Sequence, residues 1–122
     1  IKIKGLDRVV AITDSIMAAG LPDGNYKLGV NDVVVVDGDA KLATDGTRAG
    51  STLTTGKALK NLLEFTGRSL TDIIPMLTEN PARLIGVYDR VGSIEPGKDA
   101  DLVFLDEECN VVRTLVKGKE CY

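Results

Sequence analysis

Apolar and polar positions change period several times along this chain. Val9-Val10-Ala11-Ile12 is a short, β-branched apolar run, which predicts a buried strand, and it runs directly into Thr13-Asp14-Ser15. Before it, Ile1 to Arg8 alternates lysines with apolar residues and then turns at Gly5. After it, the stretch from Ile16 to Gly24 mixes small residues with Pro22 and two glycines and predicts a loop. Tyr26 to Ala43 reads as a hairpin. Val33-Val34-Val35-Val36 is a strand by composition, Asp37-Gly38 is the favoured pair for a type I′ turn, and Lys41-Leu42-Ala43 is the return strand. Asp45-Gly46 predicts a second turn.

The period then becomes helical. Ser51 and Thr52 are natural caps, and Leu53, Leu59, Leu62 and Leu63 recur at helical spacing, with Gly67 placed as the C-terminal cap. Ser69 followed by Asp72 predicts a capping box at the start of a second helix, with Ile73, Ile74 and Leu77 on its apolar face. Pro75 removes a backbone donor there and predicts a kink after the first turn. Asn80-Pro81 predicts a third, short helix, Asn as cap and Pro as first helical residue, ending at Gly86. From Arg90 short strands are expected. Val91 to Ile94 leads into a Glu95-Pro96-Gly97-Lys98 turn, then Ala100 to Leu105 and Asn110 to Val116, separated by Asp106-Glu107-Glu108. Two or three such strands cannot close a core by themselves and need partners.

Composition narrows the possibilities. The chain has 122 residues, 43% of them hydrophobic, which is ordinary for one globular domain. Its net charge of −3, with 15 scattered basic residues, gives nucleic-acid binding no support. No apolar run is long enough for a membrane span, and no signal peptide is recognisable. Cys109 and Cys121 form neither a disulfide framework nor a zinc pattern, and reduced thiols in a cytoplasmic protein are expected. There is no histidine. The first residue is Ile, which suggests a fragment or a processed chain.

Two places carry candidate chemistry. Ligands of parallel α/β sheets and barrels bind at the C-terminal ends of strands, and Asp14 stands at the end of an apolar run. It is a candidate acid/base, and equally a turn or cap aspartate. Gly50 allows close backbone approach to a ligand, and the N–H groups around Gly50 to Thr52 would lie at a helix start, where an anion or polar sugar atom could be held. An ordinary cap is the alternative.

Two motifs resemble metal-dependent amidohydrolases. Ile94-Glu95-Pro96-Gly97-Lys98-Asp99-Ala100-Asp101-Leu102-Val103 is similar to their C-terminal I-x-P-G-K-x-A-D-L-V signature, and Asn80-Pro81-Ala82-Arg83-Leu84-Ile85-Gly86 to the N-P-A-x-x-x-G helix that precedes it. Two further stretches resemble the N-acetylglucosamine-6-phosphate deacetylases within that superfamily: Thr13-Asp14 with Ala18 to Tyr26, and Asp45 to Thr54. The resemblance covers nearly the whole chain and about the last third of the family's usual length.

It implies an α/β fold: the C-terminal fragment of a (β/α)₈ TIM barrel, residues 1–88, followed by the C-terminal strands of a small β-sandwich, residues 89–122. It implies that Asp14 ends the eighth barrel strand, takes a proton from a metal-activated water and gives it to the leaving amine. It implies sugar contacts from Arg48, Ala49 and Gly50, although the family often has Leu in place of Arg48 and Met in place of Thr55. The substrate would be an amino-sugar phosphate, N-acetylglucosamine-6-phosphate, hydrolysed to glucosamine-6-phosphate and acetate in cytoplasmic amino-sugar breakdown. The complete enzyme would hold a divalent metal, zinc or iron, on histidines and a glutamate from earlier strands. A chain without histidine supplies no metal ligands by that route, needs the N-terminal part of the same protein, and is expected to be inactive alone. The alternatives are another amidohydrolase, such as a deaminase or cyclic amidase, or a non-catalytic module. Unpaired strand edges predict self-association as a homo-oligomer.

Overall fold

The computed structural model describes residues 1–122. It is a mixed α/β structure with two small antiparallel sheets of three strands each. The chain forms two compact units, Ile12–Ala58 and, separately, Ile1–Ala11 with Leu59–Tyr122.

In the first unit, β1 (Gly24–Leu28), β2 (Asn31–Val36) and β3 (Asp39–Leu42) form a meander in that order. The β2–β3 turn is the expected two-residue one: Val36 faces Asp39, and Asp37 and Gly38 take φ of 52° and 72°, both positive as a type I′ turn requires. The Asp23 carboxylate accepts the N–H groups of Asp37 at 2.5 Å and Gly38 at 3.1 Å, satisfying both turn donors. The hairpin reading is extended by β1, whose Tyr26 pairs with Val33. Only Tyr26 in that Gly-Asn-Tyr-Lys-Leu run is a strong β-former, so composition does not mark it. Strand alternation sends Val33 and Val35 into a buried cluster with Ile16, Ala18, Ala40 and Ala49, while Val36 faces solvent.

The segment Val9–Ile12 differs from expectation. Val9 is extended, at φ −118° and ψ 132°, but the run belongs to no sheet, and Ile12 is exposed. The apolar run is present, yet no neighbouring strand in these residues completes a ladder. The Ala11 N–H instead donates to the Met76 carbonyl at 2.9 Å.

Helix α1 spans Thr55–Thr66. Its first turn is capped by Thr54, whose hydroxyl accepts the Lys57 N–H at 3.3 Å, rather than by Ser51 or Thr52. Gly67 ends it as expected, donating to the Leu63 carbonyl at 2.9 Å. Helix α2 (Leu70–Ile73) carries the predicted capping box, with Ser69 and Asp72 bonded reciprocally at 3.3 Å. Pro75 then tightens the chain into a 3₁₀ turn over Ile74–Met76, the form the predicted kink takes. Helix α3 (Glu79–Leu84) begins one residue before Asn80. Asn80 is therefore not its cap: its side-chain amide donates to the carbonyls of Leu6 and Val9, each at 2.7 Å. Leu59, Ile73 and Met76 form the buried core of this unit, with Leu6, Val9, Leu62, Leu63, Leu77 and Leu105 packed on it.

Val91 to Ile94 is not a strand. The Arg90 and Val91 N–H groups both return to the Val87 carbonyl, at 3.0 and 3.1 Å, which coils the chain into a turn. There Tyr88 is held between two cations: the Arg83 guanidinium and the Lys98 ammonium lie 3.6 and 3.5 Å from its ring centroid. Two charges that close to one centroid must occupy opposite faces of the ring. Lys98 also meets Ser93 Oγ at 2.6 Å and Glu95 at 3.5 Å, and its side chain is almost wholly covered. The N-P-A helix and the P-G-K turn are thus joined through one tyrosine. The second sheet follows as β4 (Leu102–Leu105), β5 (Val111–Val116) and β6 (Lys119–Glu120). Asp106 organises the β4–β5 connection, accepting from Glu108 N, Asn110 N and Asn110 Nδ2 at 3.0, 2.7 and 2.8 Å. Val103 and Val112 remain exposed on this sheet.

Candidate active site

Asp14, Ala49 and Gly50 come together within the Ile12–Ala58 unit. Two segments far apart in sequence, Thr13–Ile16 and Gly50–Leu53, lie side by side in parallel, with a bridge between Ser15 and Ser51. The Ser51 N–H donates to the Asp14 carbonyl and the Ile16 N–H to the Ser51 carbonyl, both at 2.9 Å. The Ser51 hydroxyl donates to the Thr13 carbonyl and accepts the Leu53 N–H, and the Ser15 hydroxyl donates to the Leu53 carbonyl.

Asp14 is exposed and sits at φ 52°, in the left-handed region that an aspartate tolerates better than most residues. Gly50, at φ 65°, lies directly against it: a Cβ built there would stand 2.9 Å from the Asp14 carbonyl oxygen and 2.7 Å from Ile16 Cγ2. The glycine is required here twice, for its φ and for the close approach.

Gly50 is flanked by engaged amides. The Ala49 N–H donates to the Ala40 carbonyl at 2.9 Å and the Ser51 N–H to Asp14, while the Gly50 N–H is taken by no protein acceptor. The expected anion site at a helix start over Gly50–Thr52 is not formed, since α1 starts later and Ser51 and Thr52 turn elsewhere. Thr52 Oγ1 donates to the Gly38 carbonyl at 2.5 Å.

Arg48 is held apart from this meeting point. Its guanidinium pairs with Asp39 at 3.3 Å, and Lys41 reaches the same carboxylate at 2.9 Å. The hydrogen bond from Lys41, with the charges of Lys41 and Arg48, holds the Asp39 carboxyl below the ordinary carboxylate range. Three bonds of Ser51 to Thr13, Asp14 and Ile16 escaped sequence reasoning, because nothing local to Ser51 distinguishes them from a helix cap.

No three His, Cys, Asp or Glu side chains stand together so as to hold a metal ion. No helix is long and apolar enough to cross a membrane.

Residues 19–121 match the amidohydrolase family, and the chain belongs to it. Among its relatives, the N-acetylglucosamine-6-phosphate deacetylase of Bacillus subtilis is 44% identical over 115 residues, covering 94% of this chain and 29% of that protein. The N-acetylgalactosamine-6-phosphate deacetylase of Escherichia coli O157:H7 is 40% identical over 113 residues, covering 93% of this chain and 30% of that one. The crystal structure of the Thermotoga maritima N-acetylglucosamine-6-phosphate deacetylase superposes with a TM-score of 0.89 at 45% identity, covering 98% of this chain and 32% of its own. A Mycobacterium smegmatis N-acetyl-D-glucosamine-6-phosphate deacetylase mutant, solved with N-acetyl-D-glucosamine-6-phosphate, superposes at 0.88 with 33% identity, over 95% of this chain and 31% of that one. The chain therefore spans about 30% of the length of these relatives.

Proposed function

We propose that this chain is the C-terminal part of a cytoplasmic deacetylase of N-acetylglucosamine-6-phosphate. In this reading residues 1–88 close a (β/α)₈ barrel and residues 89–122 add strands to a small β-sandwich. The observation that carries it is the packing of Gly50 on Asp14, which sets a carboxylate beside a loop amide that no protein acceptor uses. Hydrolysis of an acetamide needs a base for the attacking water and an acid for the departing amine. Asp14 performs both: its carboxylate takes the water proton, then returns it to the amine nitrogen as acetate leaves. Gly50 N–H and the main chain of Ala49 hold the sugar. Arg48 contributes through its backbone, because its guanidinium is engaged by Asp39.

The divalent metal implied by the family, zinc or iron, does not fit the residues of this chain, which has no histidine and no cluster of alternative ligands. Its ligands are proposed to come from the N-terminal part of the protein, which would also pair the open strands and support a homo-oligomer. A second substrate, N-acetylgalactosamine-6-phosphate, is favoured by the relative named for it.

The test is acetate release by the complete protein from both epimers. Asp14→Asn is expected to lower kcat by about 10²–10⁴-fold, the usual worth of a positioned acid/base. The isolated 122-residue chain is expected to be inactive. Undiminished turnover by Asp14→Asn, or hydrolysis by the isolated chain, would overturn the reading.

A further inference from the structure

We propose that Ser51 is a positioning residue that holds the main chain of Asp14 in its left-handed conformation and thereby aims the Asp14 carboxylate. The inference rests on the reading of Asp14 as the proton-transfer group.

Asp14 is exposed and makes its contacts through its backbone, so whatever fixes that backbone fixes the direction of the carboxylate. Non-glycine residues at positive φ persist where their surroundings over-determine them, and at Asp14, φ 52°, one residue does most of this. Ser51 uses three different groups on three successive parts of the turn. Its hydroxyl holds the carbonyl before Asp14, its N–H holds the Asp14 carbonyl, and its own carbonyl holds the Ile16 N–H. The hydroxyl is itself oriented, since it also accepts the Leu53 N–H at 3.1 Å. With one lone pair facing that amide, its proton is directed to the Thr13 carbonyl. Two of the three links are backbone pairs that any residue would keep. Only the hydroxyl depends on the side chain, and it grips the peptide that sets φ of Asp14. Gly50 closes the remaining side, where a Cβ would strike the Asp14 carbonyl.

Removing the hydroxyl therefore frees the Thr13–Asp14 peptide while leaving the fold's backbone bridges in place. The reacting groups stay present but lose alignment, which lowers kcat more than it alters substrate binding.

The experiment compares Ser51→Ala, Ser51→Thr and Asp14→Asn in the complete protein, with kcat and KM per folded enzyme on N-acetylglucosamine-6-phosphate and a thermal melt of each. Ser51→Ala is expected to lose about 10–100-fold in kcat with KM changed by less than about threefold, and Ser51→Thr, which restores the hydroxyl, to recover to within about fivefold of wild type. If Ser51→Ala does not fold, Ser51→Cys, whose thiol is a weak donor, is read the same way. Unchanged kcat in Ser51→Ala, or equal loss in the Ala and Thr variants, overturns the inference while leaving Asp14 intact if Asp14→Asn is inactive. Full activity in Asp14→Asn overturns both.

Discussion

Replacing Gly50 by alanine tests the close approach on which the candidate site depends. Two costs combine. An L-residue at φ 65° is disfavoured by about 1–2 kcal/mol. The added methyl also meets Ile16 Cγ2 at 2.7 Å and the Asp14 carbonyl oxygen at 2.9 Å. The isoleucine can shift by a rotation, but the carbonyl is backbone and is already bonded to Ser51, so relief requires moving the turn itself. Overpacking of this kind costs about 1–3 kcal/mol, for a total of about 2–5 kcal/mol. Gly46→Ala separates the two contributions. Gly46 has φ 74°, and a Cβ there meets nothing within 4 Å, so it carries the conformational cost alone. In urea unfolding of the complete protein, Gly50→Ala is expected to be less stable than Gly46→Ala by about 1–3 kcal/mol. Its kcat for the proposed acetate release should fall as Asp14 is displaced, while that of Gly46→Ala is retained. Equal stability losses in the two variants would refute the reasoning, since the clash would then have no energetic weight.

Asn80→Ala strands the carbonyls of Leu6 and Val9, both bonded at 2.7 Å, and is expected to cost about 2–4 kcal/mol in urea unfolding. Asn80→Asp should cost more, because a carboxylate cannot donate to either oxygen. Tyr88→Leu removes the ring that both Arg83 and Lys98 face and should destabilise by about 1–3 kcal/mol, whereas Tyr88→Phe keeps the ring and should cost under about 1 kcal/mol; thermal melts distinguish them. The Asn110 side chain, followed by the Asn110 and Glu108 backbone amides, holds the Asp106 carboxyl below its ordinary value. A lowered folded-state pKa contributes stability that is present above the unfolded value near 4 and lost as pH falls through the folded one. Asp106→Asn is thus expected to flatten the acid limb of a stability-versus-pH curve below about pH 4, and an unchanged limb would contradict the assignment.

The parts of the fold legible in the sequence were those whose chemistry is local. Asp37-Gly38 reads as a type I′ turn because both φ signs are properties of adjacent residues. Ser69 and Asp72 read as a capping box because their partners lie three positions apart. Where a polar side chain finds a distant partner, the local reading fails. Ser51 looks like a helix cap, but its hydroxyl is claimed by Thr13, 38 positions away. Asn80 looks like a cap, but Leu6 and Val9 take its amide from 74 and 71 positions away. Val9–Ile12 has strand composition without a strand neighbour, so composition was correct about the residue types and silent about pairing. At the candidate site, Asp14 and Gly50 each carried a local hint, one at the end of an apolar run and one permissive of close approach. Their adjacency is a tertiary fact that spacing does not encode.

The parallel bridge between Ser15 and Ser51 also has an energetic consequence. The meander between them is built from neighbouring strands with tight turns, contacts of low sequence separation that form early. The pairing of Thr13–Ile16 with Gly50–Leu53 must close a long loop, and that entropic cost is reduced once the meander has drawn the two ends together. The left-handed turn at Asp14 therefore draws part of its stability from the meander, which shortens the loop its pairing has to close. The geometry of Asp14 thus depends on the meander that brings Gly50–Leu53 to it as well as on the residues that touch it.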